Sequence, residues 1–84
     1  MARPIARSEK QLGAILRRIR KHHGLTQSQL GGKTGLRQAT ISKLEAGAPA
    51  TRLATIMITL AALDLELAVC PRSQARTEDI EDLF

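Results

Sequence analysis

Leu12, Ile15, Leu16 and Ile19 recur at the i, i+3, i+4, i+7 spacing of an amphipathic helix, with Lys10, Arg17 and Lys21 on the opposite face. Ser8 and Gln11 have the spacing of a capping box, and Gly24 suits the left-handed turn that closes such a helix, so the pattern predicts a helix over residues 9–23. Thr26-Gln27-Ser28-Gln29 repeats the box at once and opens a second, shorter helix around Leu30. Gly31 and Gly32 interrupt it at about 1 kcal/mol each relative to alanine, a cost that makes sense where another backbone must approach closely. Gly35 ends it as a turn residue. A third helix, Arg37 to Glu45, stops before Gly47 and Pro49. Thr51 is then read as the cap of a fourth, over 52–63, with Leu53, Ile56, Met57, Leu60 and Leu63 on its inner face. Ala54, Ile58 and Ala62 make that helix apolar nearly all round, and such a helix is buried on more than one side.

The period changes in "LDLELAVCP". Leu65, Leu67 and Val69 alternate with Glu66, Ala68 and Cys70, and Pro71 stops the run, which is the signature of a strand over 65–71. A lone strand leaves its backbone donors and acceptors without partners, and no second strand is visible in the chain. The economical solution is the same strand of a second copy, paired antiparallel across a two-fold axis. Leu65, Leu67 and Val69 are therefore the predicted dimerisation residues of a homodimer.

Composition sharpens this picture. Eighty-four residues make one small domain that buries only about 60% of its unfolded surface, and its only aromatic residue is Phe84. So modest a core favours association with another chain. The net charge of +5 is unevenly spread: residues 1–63 hold eleven Lys and Arg against Glu9 and Glu45, a net +9, whereas Glu78, Asp79, Glu81 and Asp82 crowd the end. A body this basic attracts polyanions, nucleic acid being the commonest. Cys70 is the only cysteine, which excludes an intrachain disulfide and suits a reducing compartment. The N-terminus lacks the apolar run of a signal peptide, and the longest uncharged stretch, 53–63, is too short to span a bilayer. The expectation is a soluble, cytoplasmic, nucleoid-associated protein with no membrane partner. It divides into a flexible basic arm (1–7), a DNA-binding domain (8–64), a dimerisation strand (65–71) and an acidic tail (72–84), the last either disordered or a docking anchor footed by Phe84.

Two short helices joined by a glycine turn are the helix-turn-helix unit. With Ile41 and Leu44 turned inward, Gln38, Ala39, Ser42 and Lys43 fall on the far face of the third helix, and Thr40 on its flank. These side chains match base edges in the major groove: Gln bonds adenine bidentately, Lys reaches guanine, Ala packs on a thymine methyl, and Ser serves several bases. The second helix then crosses the DNA backbone, offering a phosphate the amides and dipole of its N-terminus at Thr26, Gln27 and Ser28. Gln27 and Arg37 are the side chains best placed to clamp that phosphate, and Arg17, Lys21 and Lys33 add charge around it.

"LTQSQLGGKTGLRQATISKLEAG", residues 25–47, resembles the helix-turn-helix of the Xre/Cro/phage-repressor family. The resemblance extends over roughly residues 10–64 and implies an all-α, lambda-repressor-like bundle of five helices. It assigns Gln27 to the phosphate-binding glutamine, Gly35 to the turn glycine and Leu30, Ile41 and Leu44 to the core. Gln38, Ala39, Thr40, Ser42 and Lys43 fall on the DNA-reading face. The chain departs from the pattern at Gly31, where alanine is usual, and at Thr34, where an apolar residue is commoner, which points to a looser second helix. "RQATISKLE", an apolar fourth helix, the strand "LELAVC" and a polar tail together resemble the HipB-type antitoxins of HipA-type toxin–antitoxin pairs. That resemblance implies a dimer that binds palindromic operator DNA, represses its own operon and holds a HipA-like Ser/Thr kinase toxin inactive.

Other readings carry less. "GGKTG" lacks the first glycine and the preceding strand of a nucleotide-binding loop. Adjacent His22 and His23 do not converge on one ion, and Cys70 has no companion ligand, so no metal or cofactor is expected. No nucleophile, base and orienter stand together, so no enzyme is expected either. A stand-alone repressor without a toxin partner and an interaction module that has lost DNA binding remain as alternatives.

Overall fold

The computed structural model describes residues 3–72. Among them the chain forms four helices: α1 (Glu9–His22), α2 (Gln27–Thr34), α3 (Gln38–Glu45) and α4 (Leu53–Ala62). The architecture is all-α, with helix bounds close to those the pattern predicts. The Ser8 hydroxyl accepts from the Gln11 amide at 3.1 Å, but Gln11 Oε1 takes the amide of Arg7 at 2.6 Å, so this box is only half closed. At α2 the box is complete: Thr26 Oγ1 accepts from the Gln29 amide at 3.0 Å, and the Thr26 amide donates to Gln29 Oε1 at 2.9 Å. Thr51 does not cap α4. Its hydroxyl donates to Ala48 O at 2.9 Å, closing the preceding turn, and Arg52 takes the N-cap position without a side-chain hydrogen bond.

All four helices end alike. Leu25, Leu36, Ala48 and Leu65 each return their amide to the carbonyl five residues earlier, at 3.2, 3.1, 3.0 and 2.8 Å. The residue before each is left-handed: Gly24, Gly35, Gly47 and, after α4, Asp64 at φ 61°. Aspartate is one of the few side chains that tolerate this region.

Leu16, Leu30, Ile41, Leu44, Leu60 and Leu63 form the core. α3 packs against both α1 and α2, and α4 packs on α2. The α1–α3 approach depends on Gly13, where an added Cβ would stand 2.5 Å from the carbonyl oxygens of Leu44 and Glu45. The two α2 glycines differ. A Cβ on Gly31 would come within 2.7 Å of Leu36 O, whereas one on Gly32 would meet nothing within 4 Å. Close approach therefore explains Gly31 and not Gly32. Thr34 works at the same turn: its hydroxyl donates to Leu30 O at 2.9 Å and accepts the Leu36 amide at 3.2 Å. The two departures at Gly31 and Thr34 thus fasten the turn instead of loosening the helix.

The inner face of α4 differs from the predicted one. Ile56, Thr59, Leu60 and Leu63 point inward, while Leu53 and Met57 join Ile58 on the exposed side, at 64, 46 and 44% exposure. Thr59 is buried because its hydroxyl is satisfied within the helix, donating to Thr55 O at 2.8 Å. A fifth helix is not present among the described residues; those after Asp64 alternate in polarity and reach Pro71 within two helical turns. Residues 65–70 form no β-ladder, and no second strand occurs among the described residues. Leu65 packs against the core, and Leu67 and Val69 are exposed. Residues 73–84 of the acidic tail and residues 1–2 of the basic arm lie outside the described residues. No helix is long and apolar enough to cross a membrane among the described residues.

Candidate nucleic-acid interface

The N-terminus of α2 and the first turn of α3 meet in an open cleft lined by Lys21, Gly24, Thr26, Gln27, Ser28 and Gln38, among others. The capping box consumes the amides of Thr26 and Gln29 and leaves those of Gln27 and Ser28 pointing out of the helix end. On α3, Gln38, Ala39 and Lys43 are exposed and Thr40 and Ser42 half-buried, while Ile41 and Leu44 hold the opposite side in the core. Thr40 and Lys43 also line a second hollow with Thr51 and Arg52, two residues the sequence did not mark for this surface. Arg37 is exposed at the N-cap of α3. Arg17 and Lys33 are exposed as well, but neither lines the cleft.

Beneath the cleft lies an ion pair that sequence reasoning did not single out. Arg20 Nε donates to Glu45 Oε2 at 2.6 Å and Arg20 Nη2 to Glu45 Oε1 at 3.0 Å, a bidentate pair joining α1 to α3. Arg20 Nη1 donates to Leu25 O at 2.7 Å, fixing the chain just before α2. The two side chains are 7 and 3% exposed. Chiefly through the hydrogen bond to Glu45, the Arg20 guanidinium is held above its ordinary value against an opposing effect of burial. A signal for the pair was present: Arg20 stands four residues after Leu16, and Glu45 four after Ile41, so opposite charges sit on two apolar stripes.

The pair is linked to the surface. Glu45 Oε1 also accepts from Gln27 Nε2 at 3.0 Å, and Gln27 Oε1 accepts from Gln38 Nε2 at 2.7 Å. Among the described residues, no buried side-chain nitrogen or oxygen lacks a partner. His22, His23 and Cys70 are exposed, and no cluster of metal-ligating side chains occurs among the described residues.

Two short helices locked at a glycine turn, with the second presenting small polar side chains beside the N-terminus of the first, define a helix-turn-helix DNA-binding domain. Comparison with known proteins agrees. A family model described as helix-turn-helix matches residues 16–69. Antitoxin HipB of Escherichia coli (strain K12) is 36% identical over 74 residues, covering 88% of this chain and 84% of the relative. A solved HipB–O4 20mer complex is similar with a TM-score of 0.77 at 35% identity, over 82% of this chain and 97% of that one. A HipA–HipB–O2–O3 complex follows at a TM-score of 0.76 and 35% identity, with the same coverage. The chain belongs to the helix-turn-helix family and, within it, to the family of the antitoxin HipB.

Proposed function

We infer that this chain is a sequence-specific DNA-binding antitoxin and autorepressor of a type II toxin–antitoxin operon, which binds palindromic operator DNA as a homodimer and neutralises a HipA-like Ser/Thr kinase toxin. The observation that carries the DNA half is the exposed polar face of α3, set beside the open amides of Gln27 and Ser28. In this reading Gln38, Ala39, Thr40, Ser42 and Lys43 contact base edges, Gln38 and Ala39 entering deepest. Gln27, Ser28 and Arg37 grip a phosphate at the α2 N-terminus, with the Thr26 hydroxyl beside them. Arg17 and Lys33 add charge at greater distance, and each true phosphate contact adds about 0.9 to the salt slope of log K. The exposed apolar side of α4 and residues 65–71 meet their copies across the two-fold axis, Leu65, Leu67 and Val69 forming a two-stranded seam. The toxin half rests on the relatives, whose solved complexes include one with HipA. The protein acts in the cytoplasm, at the nucleoid.

The test has two arms. Gln38→Ala combined with Lys43→Ala raises the Kd for operator DNA by about two orders of magnitude, since each good base contact contributes about 1–3 kcal/mol of discrimination. Unchanged binding removes the assignment of this face. Purification from the native source brings a Ser/Thr-kinase-like protein with it; a chain that binds operator but never a kinase is a stand-alone repressor.

A further inference from the structure

Glu45 makes an unusual foundation for a base-reading helix. Its carboxylate is 3% exposed, and an apolar pair of similar volume holds two helices together at least as well as a buried ion pair in many proteins. An apolar pair, however, cannot decide which way round a neighbouring amide sits. Glu45 can. A carboxylate only accepts hydrogen bonds, so the Gln27 atom 3.0 Å from Glu45 Oε1 is the nitrogen. Gln27 therefore turns its carbonyl oxygen towards Gln38. That oxygen also only accepts, so Gln38 presents its own nitrogen at 2.7 Å and is left with its carbonyl oxygen directed elsewhere. Each orientation follows from the one beneath it, and the first is dictated by Glu45 in the grip of Arg20.

This order has a consequence at the base edge. An unconstrained glutamine has two N–H groups and one carbonyl, enough to offer adenine a donor and an acceptor or to offer guanine two donors. Here one N–H of Gln38 is committed to Gln27. What remains is one donor and one acceptor, which complement adenine N7 and its 6-amino group. Guanine presents two acceptors, N7 and O6, and one of them would face the Gln38 oxygen with no proton between. Resting on the reading of α3 as the groove helix, the geometry points to Glu45 as a positioning residue for sequence recognition, which fixes the Gln27 and Gln38 amides so that Gln38 selects adenine over guanine.

The probe is a duplex that the wild-type chain selects from a randomised pool, prepared in four versions at the base pair where Gln38→Ala flattens the preference. The double variant Arg20→Met with Glu45→Leu removes the anchor without orphaning a buried charge. Its adenine-to-guanine Kd ratio falls from on the order of tenfold or more to within about twofold of unity. Its salt slope and its thermal unfolding transition stay close to wild type, which separates lost selectivity from lost phosphate binding or lost fold. Retention of the wild-type ratio in a folded double variant overturns the proposal. Should that variant not fold, Glu45→Gln decides: it keeps the shape and can still accept from Arg20, but no longer demands a nitrogen from Gln27, so the ratio again collapses, and a preserved ratio overturns the proposal. A wild-type chain that selects no duplex, or a preference that Gln38→Ala leaves intact, overturns the underlying reading of α3 and this inference with it, and is distinguished from failure of the relay alone.

Discussion

The face built from α2 and α3 ties part of its polar set into hydrogen-bonded pairs, whereas the face built from α4 and residues 65–70 carries apolar groups with no covering among the described residues. On the first, Arg20, Glu45, Gln27 and Gln38 form one connected set of hydrogen bonds reaching from the core to the cleft. On the second, Leu53, Met57, Ile58, Leu67 and Val69 are all large, apolar and exposed. The difference teaches what each surface requires. A rigid polar partner such as DNA is best met by groups already oriented, because orientation bought beforehand is not lost on binding. An apolar surface gains most by leaving water, and it can do so against a second copy of itself.

The largest effect should come from breaking the ordered face at its foundation. Glu45→Ala leaves the Arg20 guanidinium buried without a counter-charge and should lower stability by about 3–5 kcal/mol, read as a fall in the urea midpoint. The contribution of Arg20 to the pH dependence of stability is flat around neutrality. Its guanidinium is raised on folding above an ordinary value that is already strongly alkaline, so its stabilisation is complete at and below neutral pH and is lost only as pH rises through the still higher folded value. A stability profile that bends near neutrality because of Arg20 would contradict the bidentate pairing.

Next in size is the apolar face. Val69→Pro removes a ladder donor from the proposed seam, and Met57→Asp places a charge on the exposed side of α4. Either should weaken self-association by roughly 3 kcal/mol, on the order of a hundredfold, and yield monomers in sedimentation at concentrations where the wild type is a dimer. A dimer that survives both substitutions would place the contact elsewhere and leave this apolar side unexplained.

The two faces were not equally legible. Helices α1 to α3 could be bounded from sequence because their signals are local: capping boxes at Ser8 and Thr26, left-handed glycines at 24 and 35, and the Ile41–Leu44 spacing that orients α3. Helix α4 could be found but not turned, since a segment apolar all round has no polar side to identify its outside. The spacing therefore turns Leu53 and Met57 inward and gives no sign of Thr59, although Thr59 is almost wholly buried. The Arg20–Glu45 pair is hidden in the sequence for a different reason. Charged residues in a basic chain read individually as solvated, and only their joint placement on two apolar stripes distinguishes them. The segment after α4 carries the period of a strand, but a strand is completed by its neighbour, and no second strand occurs among the described residues.

The smallest effect sharpens the comparison from inside α2. Gly31 and Gly32 are adjacent in the same helix and carry the same intrinsic penalty, so helix propensity alone predicts that alanine at either position stabilises by about 1 kcal/mol. Packing separates them. At Gly32 nothing stands within 4 Å of an added Cβ, and Gly32→Ala should deliver that gain in full. At Gly31 the new methyl would be driven against Leu36 O at 2.7 Å, a backbone atom of the turn that cannot rotate aside. Gly31→Ala should therefore reverse the sign and cost about 1–3 kcal/mol, as overpacking usually does. Paired urea melts read both shifts. Equal gains from the two substitutions would mean that the α2–α3 turn can yield without penalty, and a turn that yields could not hold Gln27 and Gln38 in register with the buried carboxylate below them.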